Sequence, residues 1–342
     1  VETVPVPGNA SLKSDLSYQS FRADAIETVI EKGSVERRPG AYAWKDRSTL
    51  DAGSHVQVGG FKIPELCEVL SEEICSLHYE RDDTINNDLL QESYNLYDLG
   101  SEKTGFFALD VEVLSDAVLY ITFDEIIWEE CRDQTILQVF HDGAQPMVFH
   151  RMDTVNVVKY QIAAGRYRLL SFEPVSFRYV KLMALDGEVR VHDFKVVRYE
   201  NDEVYRCRLT SDDHQLQSIF EASAATLSQN AVDVLTDCPS RERAGWLCDS
   251  YFSAKVELLL SGWNRVEENL LRAYYLSPQS PYLPEGMVPM CYPADHFDGV
   301  YIPTWAMWYI LELEDQYYRS GNRAVVEASR EKVLGIINFF LD

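Results

Sequence analysis

The 342-residue sequence has no apolar run long enough to cross a membrane, and it is poor in basic residues. Its 31 Lys and Arg stand against 55 Asp and Glu, for a formal net charge of -24 at pH 7. Phosphate binding requires clustered Lys and Arg, so we expect no nucleic-acid partner, and we expect no membrane partner either. Such an acidic surface suits a neutral ligand, although it is equally compatible with a simple solvated coat.

The seven cysteines are odd in number and form no CxxC pair. In a chain of this length, that pattern argues against a disulfide scaffold and against a zinc site. The motifs of serine hydrolases, zinc proteases, dinucleotide enzymes and P-loop enzymes are absent as well. We therefore predict reduced, mostly buried thiols, with no metal and no cofactor.

Strict alternation of apolar and polar residues begins at about residue 104. Within 105–114, Phe107, Leu109, Val111 and Val113 share one face, which is typical of a half-buried strand. Several short strands separated by glycine and proline turns indicate a β-sandwich, of a jelly-roll-like kind. Further strands are predicted at 117–124, 136–141, 155–162, 166–172, 176–185 and 189–198.

Beyond a polar segment at about 200–212, the hydrophobic period becomes helical. Ser211 or Asp212 could cap the first helix, which contains Leu216 to Leu227. The connections at 230–244 and 277–302 are long for a compact helical domain, and such connections are often functional. Further helices are predicted at about 246–261, 264–276, 303–321 and 323–342.

These patterns divide the chain into three predicted regions. Residues 1–103 form a β-rich region, 104–203 a β-sandwich domain, and 204–342 a helical domain. The chain ends on an apolar, amphipathic run at 333–341, which needs a further element to bury it. We therefore expect the sequence to be a piece of a longer protein.

The connection around residues 237–249 brings together acidic, basic and aromatic side chains that have the ingredients for a glycosidase. Glycoside hydrolysis with inversion needs a protonated carboxylic acid at the leaving oxygen, and Glu242 is the candidate. Asp237 and Asp249 could accept hydrogen bonds from sugar hydroxyls. Arg241 offers a planar donor fork, and Trp246 offers a flat apolar face. If Glu242 and Asp249 both lay in the first turns of the next helix, their spacing of seven would place them on one face.

Plain structural interpretations stay open for each feature. The loop acids and arginines could form a surface ion-pair patch at a helix start, and Trp246 could be a core anchor. The 291–300 loop could line the same pocket through Asp298, Phe297 or His296, or be an ordinary surface loop. The aromatic spacing of Trp305 and Trp308 is more typical of a core than of a sugar platform.

The string Asp237-Cys-Pro-Ser-Arg-Glu-Arg-Ala-Gly-Trp-Leu-Cys-Asp249 resembles the signature of the bacterial α-L-rhamnosidase family, roughly D-C-P-x-R-E-x-x-G-W-x-G-D. The resemblance covers about 104–342 and is strongest at 237–249. Residues 301–310 and 316–321 also look like the next helical stretch of that family. The resemblance implies a β-sandwich followed by an (α/α)6 barrel, of which this chain holds the first helices.

Residue by residue, the resemblance implies that Glu242 is the general acid. It also implies that the sugar is bound by Asp237, Arg241, Trp246 and Asp249. Cys248 departs from the pattern, because the family usually has glycine there. The family's general base is a glutamate far downstream, beyond residue 342, so the fragment itself is expected to be inactive.

The resemblance implies an inverting glycoside hydrolase that releases terminal α-L-rhamnose, with a carbohydrate as its only expected partner and no cofactor. Two alternatives stay open: the same fold acting on a different sugar, or a non-catalytic carbohydrate-binding protein. Similar bacterial proteins are often exported, so a periplasmic or secreted location is favoured over a cytoplasmic one. The oligomeric state is not indicated.

Overall fold

A computed structural model describes residues 19–37, 88–125, 157–240, 242–294 and 301–341, together with several short strands between them. The predicted strand at 136–141 and the predicted site residues Arg241, Phe297 and Asp298 lie outside the described residues. Short strands outside the main sheet lie at Gln19–Ser20, Gln57–Val58, Phe61–Lys62, Leu70–Ser71, Met147–Val148, His150–Arg151, Thr154–Val155 and Glu200–Asn201.

The N-terminal part is dominated by an antiparallel sheet of nine strands. The strand order is β6-β5-β8-β4-β9-β1, with β7 paired to β4 and with β2 paired to both β3 and β4. The strands are β1 Ala23–Ala25, β2 Val29–Arg37, β3 Ile74–Glu80, β4 Ser93–Val113, β5 Ala117–Asp124, β6 Val157–Ile162, β7 Gly165–Leu170, β8 Val175–Asp186 and β9 Val189–Arg198.

The long strand β4 divides this sheet into two portions. Its first half, around Ser93 to Asp98, lies between β2 and β8. Its second half, around Ala108 to Val113, lies between β7 and β9. One strand therefore belongs to both portions of the sheet and has different neighbours in each.

Both portions bury the same core. Phe107 of β4 contacts Phe123 of β5 with ring centroids 5.3 Å apart, and Tyr97 of β4 contacts Phe194 of β9 at 5.5 Å. These rings come from opposite portions of the sheet, and all four are buried. The alternation predicted from the sequence is confirmed here, because Phe107, Leu109, Val111 and Val113 all belong to this core.

Five helices follow a 3-10 turn at Asp202–Arg206: α1 His214–Asn230, α2 Asp249–Ser261, α3 Arg265–Leu276, α4 Pro303–Ser320 and α5 Arg323–Leu341. Pro303 occupies the first turn of α4, where its missing N–H costs nothing. Gly262 and Gly321 end α2 and α4 in the left-handed conformation that glycine tolerates.

The helices pack as two hairpins beside α1. The helices α2 and α3 form one hairpin and α4 and α5 the other, with α2 against α4 and α3 against α5. The first helix is capped by Asp213, whose side chain accepts from the backbone of Gln215 and Leu216. The prediction of Ser211 or Asp212 as the cap was wrong by one or two positions. None of the helices among the described residues is both long and apolar enough to span a lipid bilayer.

Three glutamates of the helices are buried: Glu257 of α2, Glu267 of α3 and Glu312 of α4. Glu312 of α4 is 0 % exposed and accepts a hydrogen bond of 2.5 Å from Ser250 Oγ. Ser250 follows Asp249, the first residue of α2. Burial raises the pKa of Glu312 to about 8, and burial also raises the pKa of Glu257 to about 8. Both carboxyl groups therefore keep their protons to a higher pH than an exposed glutamate does.

This burial predicts a pH-dependent stability. An acid whose pKa is raised on folding holds its proton in the folded state, so stability falls as pH rises from its unfolded pKa towards its folded pKa. We expect Glu312→Gln, which mimics the protonated acid, to gain on the order of 2 kcal/mol relative to wild type between about pH 5 and pH 7. Urea unfolding at both pH values measures the difference. Glu327→Gln, which changes an exposed side chain, is the control. If the free energy of unfolding depends on pH equally in wild type and both variants, the expectation is contradicted.

Candidate active site on the connection between the first two helices

The connection between α1 and α2 is pinned to the segment that follows α3. Gly245 N–H donates to Pro293 O at 2.9 Å, and Tyr292 N–H donates to Gly245 O at 2.9 Å. The buried Tyr274 of α3 also donates its hydroxyl to Gly245 O at 2.9 Å. Gly245 is therefore the point where the connection between α1 and α2 is fixed to the helical core.

Asp237 closes a small loop onto Ala244. Its backbone N–H donates to Ala244 O at 3.2 Å, and its Oδ1 accepts from Ala244 N–H at 3.2 Å. Its Oδ2 accepts from the Cys238 thiol, with 2.9 Å between Sγ and Oδ2. Burial and the neighbouring Asp237 raise the pKa of Cys238, so the thiol stays protonated and donates. Each carboxylate oxygen keeps a further lone pair for another donor.

Glu242 lies in a turn of this loop and is half-buried. Its backbone N–H donates to Cys238 Sγ at 3.2 Å, so Cys238 links Glu242 to Asp237. The expectation that Glu242 and Asp249 share one helix face is wrong, because α2 begins only at Asp249. Arg243 (φ 50°) and Cys248 (φ 76°) have left-handed backbone angles that interrupt any helix over 242–248.

Asp249 is the first residue of α2 and is partly exposed. Partial burial raises the pKa of Asp249, and the charge of Asp237 raises it further. The structure therefore brings these two predicted site residues together. The indole of Trp305 lies close enough to favour the charged form of Asp249, although its buried Nε1 falls short of strict hydrogen-bond geometry.

The surroundings of Trp305 and Trp246 agree only in part with the sequence interpretation. Trp305 packs on the helical core, as its spacing predicts, but it also lies beside Asp249, which spacing alone does not reveal. Trp246 is half-buried and forms a β-bridge with Cys291. Its buried Nε1 has no acceptor among the described residues. The described residues also contain no group of three or more His, Cys, Asp or Glu side chains that could hold a metal ion.

Arg243 was not singled out from the sequence as a site residue, yet it ties the loop to the β domain. Its Nη1 lies 3.1 Å from Glu173 Oε2 and donates to Pro174 O at 3.2 Å. A cavity of about 370 Å³ lies between the β domain and this loop. Pro239 and Arg243 line it, whereas Asp237, Glu242 and Asp249 do not belong to its walls.

Cys248 caps α2 with a strained backbone, at φ 76° and ψ -57°, and makes no side-chain capping bond. We expect Cys248→Gly to raise the free energy of unfolding by about 1 kcal/mol, because glycine adopts this φ without the Cβ penalty. Cys207→Gly is the matched control. Cys207 has φ -83°, so glycine gains nothing there and should cost about 0.5–1 kcal/mol. Losses of equal size at both positions would rule out backbone strain at Cys248.

The described chain is thus an antiparallel β-sheet followed by helical hairpins, with Asp237, Glu242 and Asp249 on the first long connection. Residues 206–338 match the family described as the bacterial alpha-L-rhamnosidase 6 hairpin glycosidase domain. That range contains the whole loop and nearly all of the five helices. This helical part of the chain is therefore similar to the bacterial α-L-rhamnosidase family, the family that the 237–249 string resembles.

Solved structures show the same fold at low sequence identity. A rhamnosidase from Klebsiella oxytoca with rhamnose bound has a TM-score of 0.61 and 15% identity, covering 94% of this chain and 57% of that one. A GH78 family rhamnosidase of Bacillus sp. GL1 has a TM-score of 0.59 and 20% identity, covering 77% and 25%. The α-L-rhamnosidase from Dictyoglumus thermophilum has a TM-score of 0.54 and 19% identity, covering 72% and 26%.

The chain thus spans 25% of the length of the Bacillus protein and 57% of the Klebsiella protein. Among curated proteins, none matches the sequence.

Proposed function

We propose that the protein is a glycoside hydrolase that releases terminal α-L-rhamnose from glycosides or polysaccharides with inversion of configuration. The observation that carries this proposal is the loop 237–249. It lies inside the family match and holds Asp237 close enough to Asp249 to change the pKa of that carboxyl. Such paired carboxylates beside an aromatic ring suit the hydroxyls and C–H faces of a pyranose.

In this mechanism Glu242 donates its proton to the departing glycosidic oxygen. Asp237 and Asp249 accept hydrogen bonds from sugar hydroxyls, and Arg241, Trp246 and the residues Phe297 and Asp298 complete the sugar site. A carboxylate outside residues 1–342 serves as the general base and activates a water on the opposite face of the sugar. The 342-residue fragment alone is then inactive, and no cofactor takes part.

The proposal includes the larger architecture. Residues 104–203 form a jelly-roll-like sandwich domain, and 204–342 are the first helices of an (α/α)6 barrel. The two helical hairpins and the contacts of α2 with α4 and of α3 with α5 support this arrangement, because a barrel of hairpins repeats such neighbour contacts around a ring. Residues 1–103 are the β-rich region predicted from the sequence, and their strands β1, β2 and β3 belong to the same sheet as β4 to β9.

A second candidate is the same reaction on a different sugar. Cys248 favours it, because its strained backbone lies immediately beside Asp249 and places a thiol where the family pattern has glycine. A larger side chain at this position reshapes the space next to a sugar-binding carboxylate.

Hydrolysis of a panel of p-nitrophenyl glycosides by the full-length protein tests the proposal. We expect release of nitrophenol from the α-L-rhamnoside well above the other sugars, with the β-anomer of rhamnose appearing first in proton NMR. A preference for another sugar would select the second candidate. Hydrolysis of none of them, by a protein that shows a cooperative unfolding transition, would refute both.

A further inference from the structure

The cavity between the β domain and the α1–α2 connection has walls from two parts of the chain. Phe106, Phe172 and Tyr199 come from the β domain, and Asn230 and Thr236 come from the helical side. Its volume of about 370 Å³ falls within the range of small-ligand sites, and Arg243 ties its two walls together. The cavity is therefore a feature of the joined domains and not of either domain alone.

Aromatic side chains supply the apolar part of its lining. Phe172 lies on the turn between β7 and β8 and is fully exposed, at 102% of its reference area. Phe106 and Tyr199 are half-buried and contact each other edge to face, with ring centroids 5.9 Å apart. An aromatic ring left open on a cavity wall presents the flat apolar surface on which the C–H face of a sugar packs.

Polar side chains on both sides of the cavity are already fixed in position by hydrogen bonds. Thr104 Oγ1 donates to Gln229 Oε1 at 2.9 Å across the two domains, and Thr236 Oγ1 donates to Asn230 O at 3.0 Å. Asn230 Nδ2 donates to Thr226 O at 3.0 Å. Hydroxyl and amide groups held in this way lose little entropy when a ligand binds, and their oxygens retain lone pairs for hydroxyl donors.

The charge of the lining argues against an anionic ligand. Arg243 pairs with Glu173 at 3.1 Å, and Asp233 adds a second carboxylate to the walls. With one cation against two carboxylates, a phosphate or sulfate finds no net positive potential. Flat aromatic rings, fixed amides and hydroxyls, and no excess of positive charge together fit a neutral, polyhydroxylated ring.

The candidate acid Glu242 does not line the cavity, although it belongs to the same loop as three of the lining residues. Thr236, Pro239 and Arg243 line the cavity, whereas Asp237 and Glu242, which alternate with them along the chain, do not. We propose that this interdomain cavity is a second carbohydrate-binding site, which holds a neutral pyranose unit of an oligosaccharide or polysaccharide away from the bond that is cleaved. The choice of a rhamnose-containing saccharide as its ligand rests on the proposed function.

Calorimetric titration of the full-length protein with a linear α-L-rhamnotriose tests this site. The titration uses the Glu242→Gln variant, so that the probe is not consumed. We expect two binding events per chain. Adding Phe172→Ala should weaken one of them about tenfold, because the substitution removes the open aromatic surface. Leu170→Ala is the matched control, since Leu170 is exposed two residues away and is not part of the cavity wall.

The outcomes separate the two proposals. A single binding event, or two events that Phe172→Ala leaves unchanged, would overturn the second site even if the wild-type protein hydrolyses rhamnosides. Two events, one of them sensitive to Phe172→Ala, would support the second site even if no rhamnoside is hydrolysed. Because Phe172 is fully exposed, its variant should unfold at the same temperature as wild type, which excludes a folding defect as the cause of lost binding.

Discussion

Glu242→Gln lowers kcat of the full-length protein for an alkyl α-L-rhamnoside by about 10²- to 10⁴-fold, the usual contribution of a general acid. The amide keeps the size of the side chain and its backbone bond to Cys238 Sγ, but it has no proton to give to the leaving oxygen. Because the substitution leaves the proposed sugar contacts of Asp237 and Asp249 in place, KM should change far less than kcat. Steady-state kinetics on the purified variant measures both.

Leaving groups of different acidity make this test specific to acid catalysis. A dinitrophenolate leaves without protonation, so Glu242→Gln should lose much less activity on a dinitrophenyl α-L-rhamnoside than on an alkyl one. Glu221→Gln, on the exposed face of α1, is the control and should behave as wild type. If Asp249→Asn shows the dependence on the leaving group and Glu242→Gln does not, Asp249 is the acid and the assignment to Glu242 is wrong.

Gly245→Ala should cause the second large loss, through packing. A Cβ at this position would lie 2.6 Å from Tyr292 O and 2.6 Å from Leu270 Cδ1, so the pinned backbone must shift. We expect the free energy of unfolding to fall by about 2–3 kcal/mol, as for other overpacked sites. A displacement of about 1 Å in the loop that carries Asp237 and Glu242 should also lower kcat/KM on the order of 10²-fold.

Gly321→Ala separates this clash from the ordinary cost of replacing a glycine. Gly321 has φ 69°, and a Cβ added there would have no atom within 4 Å, so alanine costs only backbone strain of about 1 kcal/mol. Chemical denaturation and kinetics of both variants give the comparison. Stability and activity of Gly245→Ala within the range of Gly321→Ala would show that the contact with Tyr292 does not hold the loop in place.

Much of the fold follows from local patterns in the sequence. The alternation at Phe107 to Val113 identifies a strand face because a buried sheet allows one apolar side chain in every two residues. Pro303 and Gly321 mark the ends of α4 because their backbone preferences suit those positions alone. The predicted helices at 264–276 and 303–321 agree with α3 and α4 within a residue at each end.

The candidate site depends on features that local patterns do not encode. The helix that we predict from Trp246 begins three residues later, at Asp249, because Arg243 and Cys248 have left-handed backbone angles. Neither residue type favours such angles, so the sequence does not predict them. Trp305 has the spacing of a core residue, and only the packing of α4 against α2 brings it beside Asp249. The cavity is lined by residues far apart in the chain, among them the ion pair of Arg243 with Glu173, seventy positions away.

The structure of the full-length Glu242→Gln variant with an uncleaved rhamnoside tests the central claim most directly. We expect the side chain at position 242 within hydrogen-bonding distance of the glycosidic oxygen, and the carboxylates of Asp237 and Asp249 on hydroxyls of the same ring. A second carboxylate should lie roughly 6.5–9.5 Å from position 242, across the anomeric carbon. A rhamnoside bound elsewhere, with position 242 away from its glycosidic oxygen, would contradict the account.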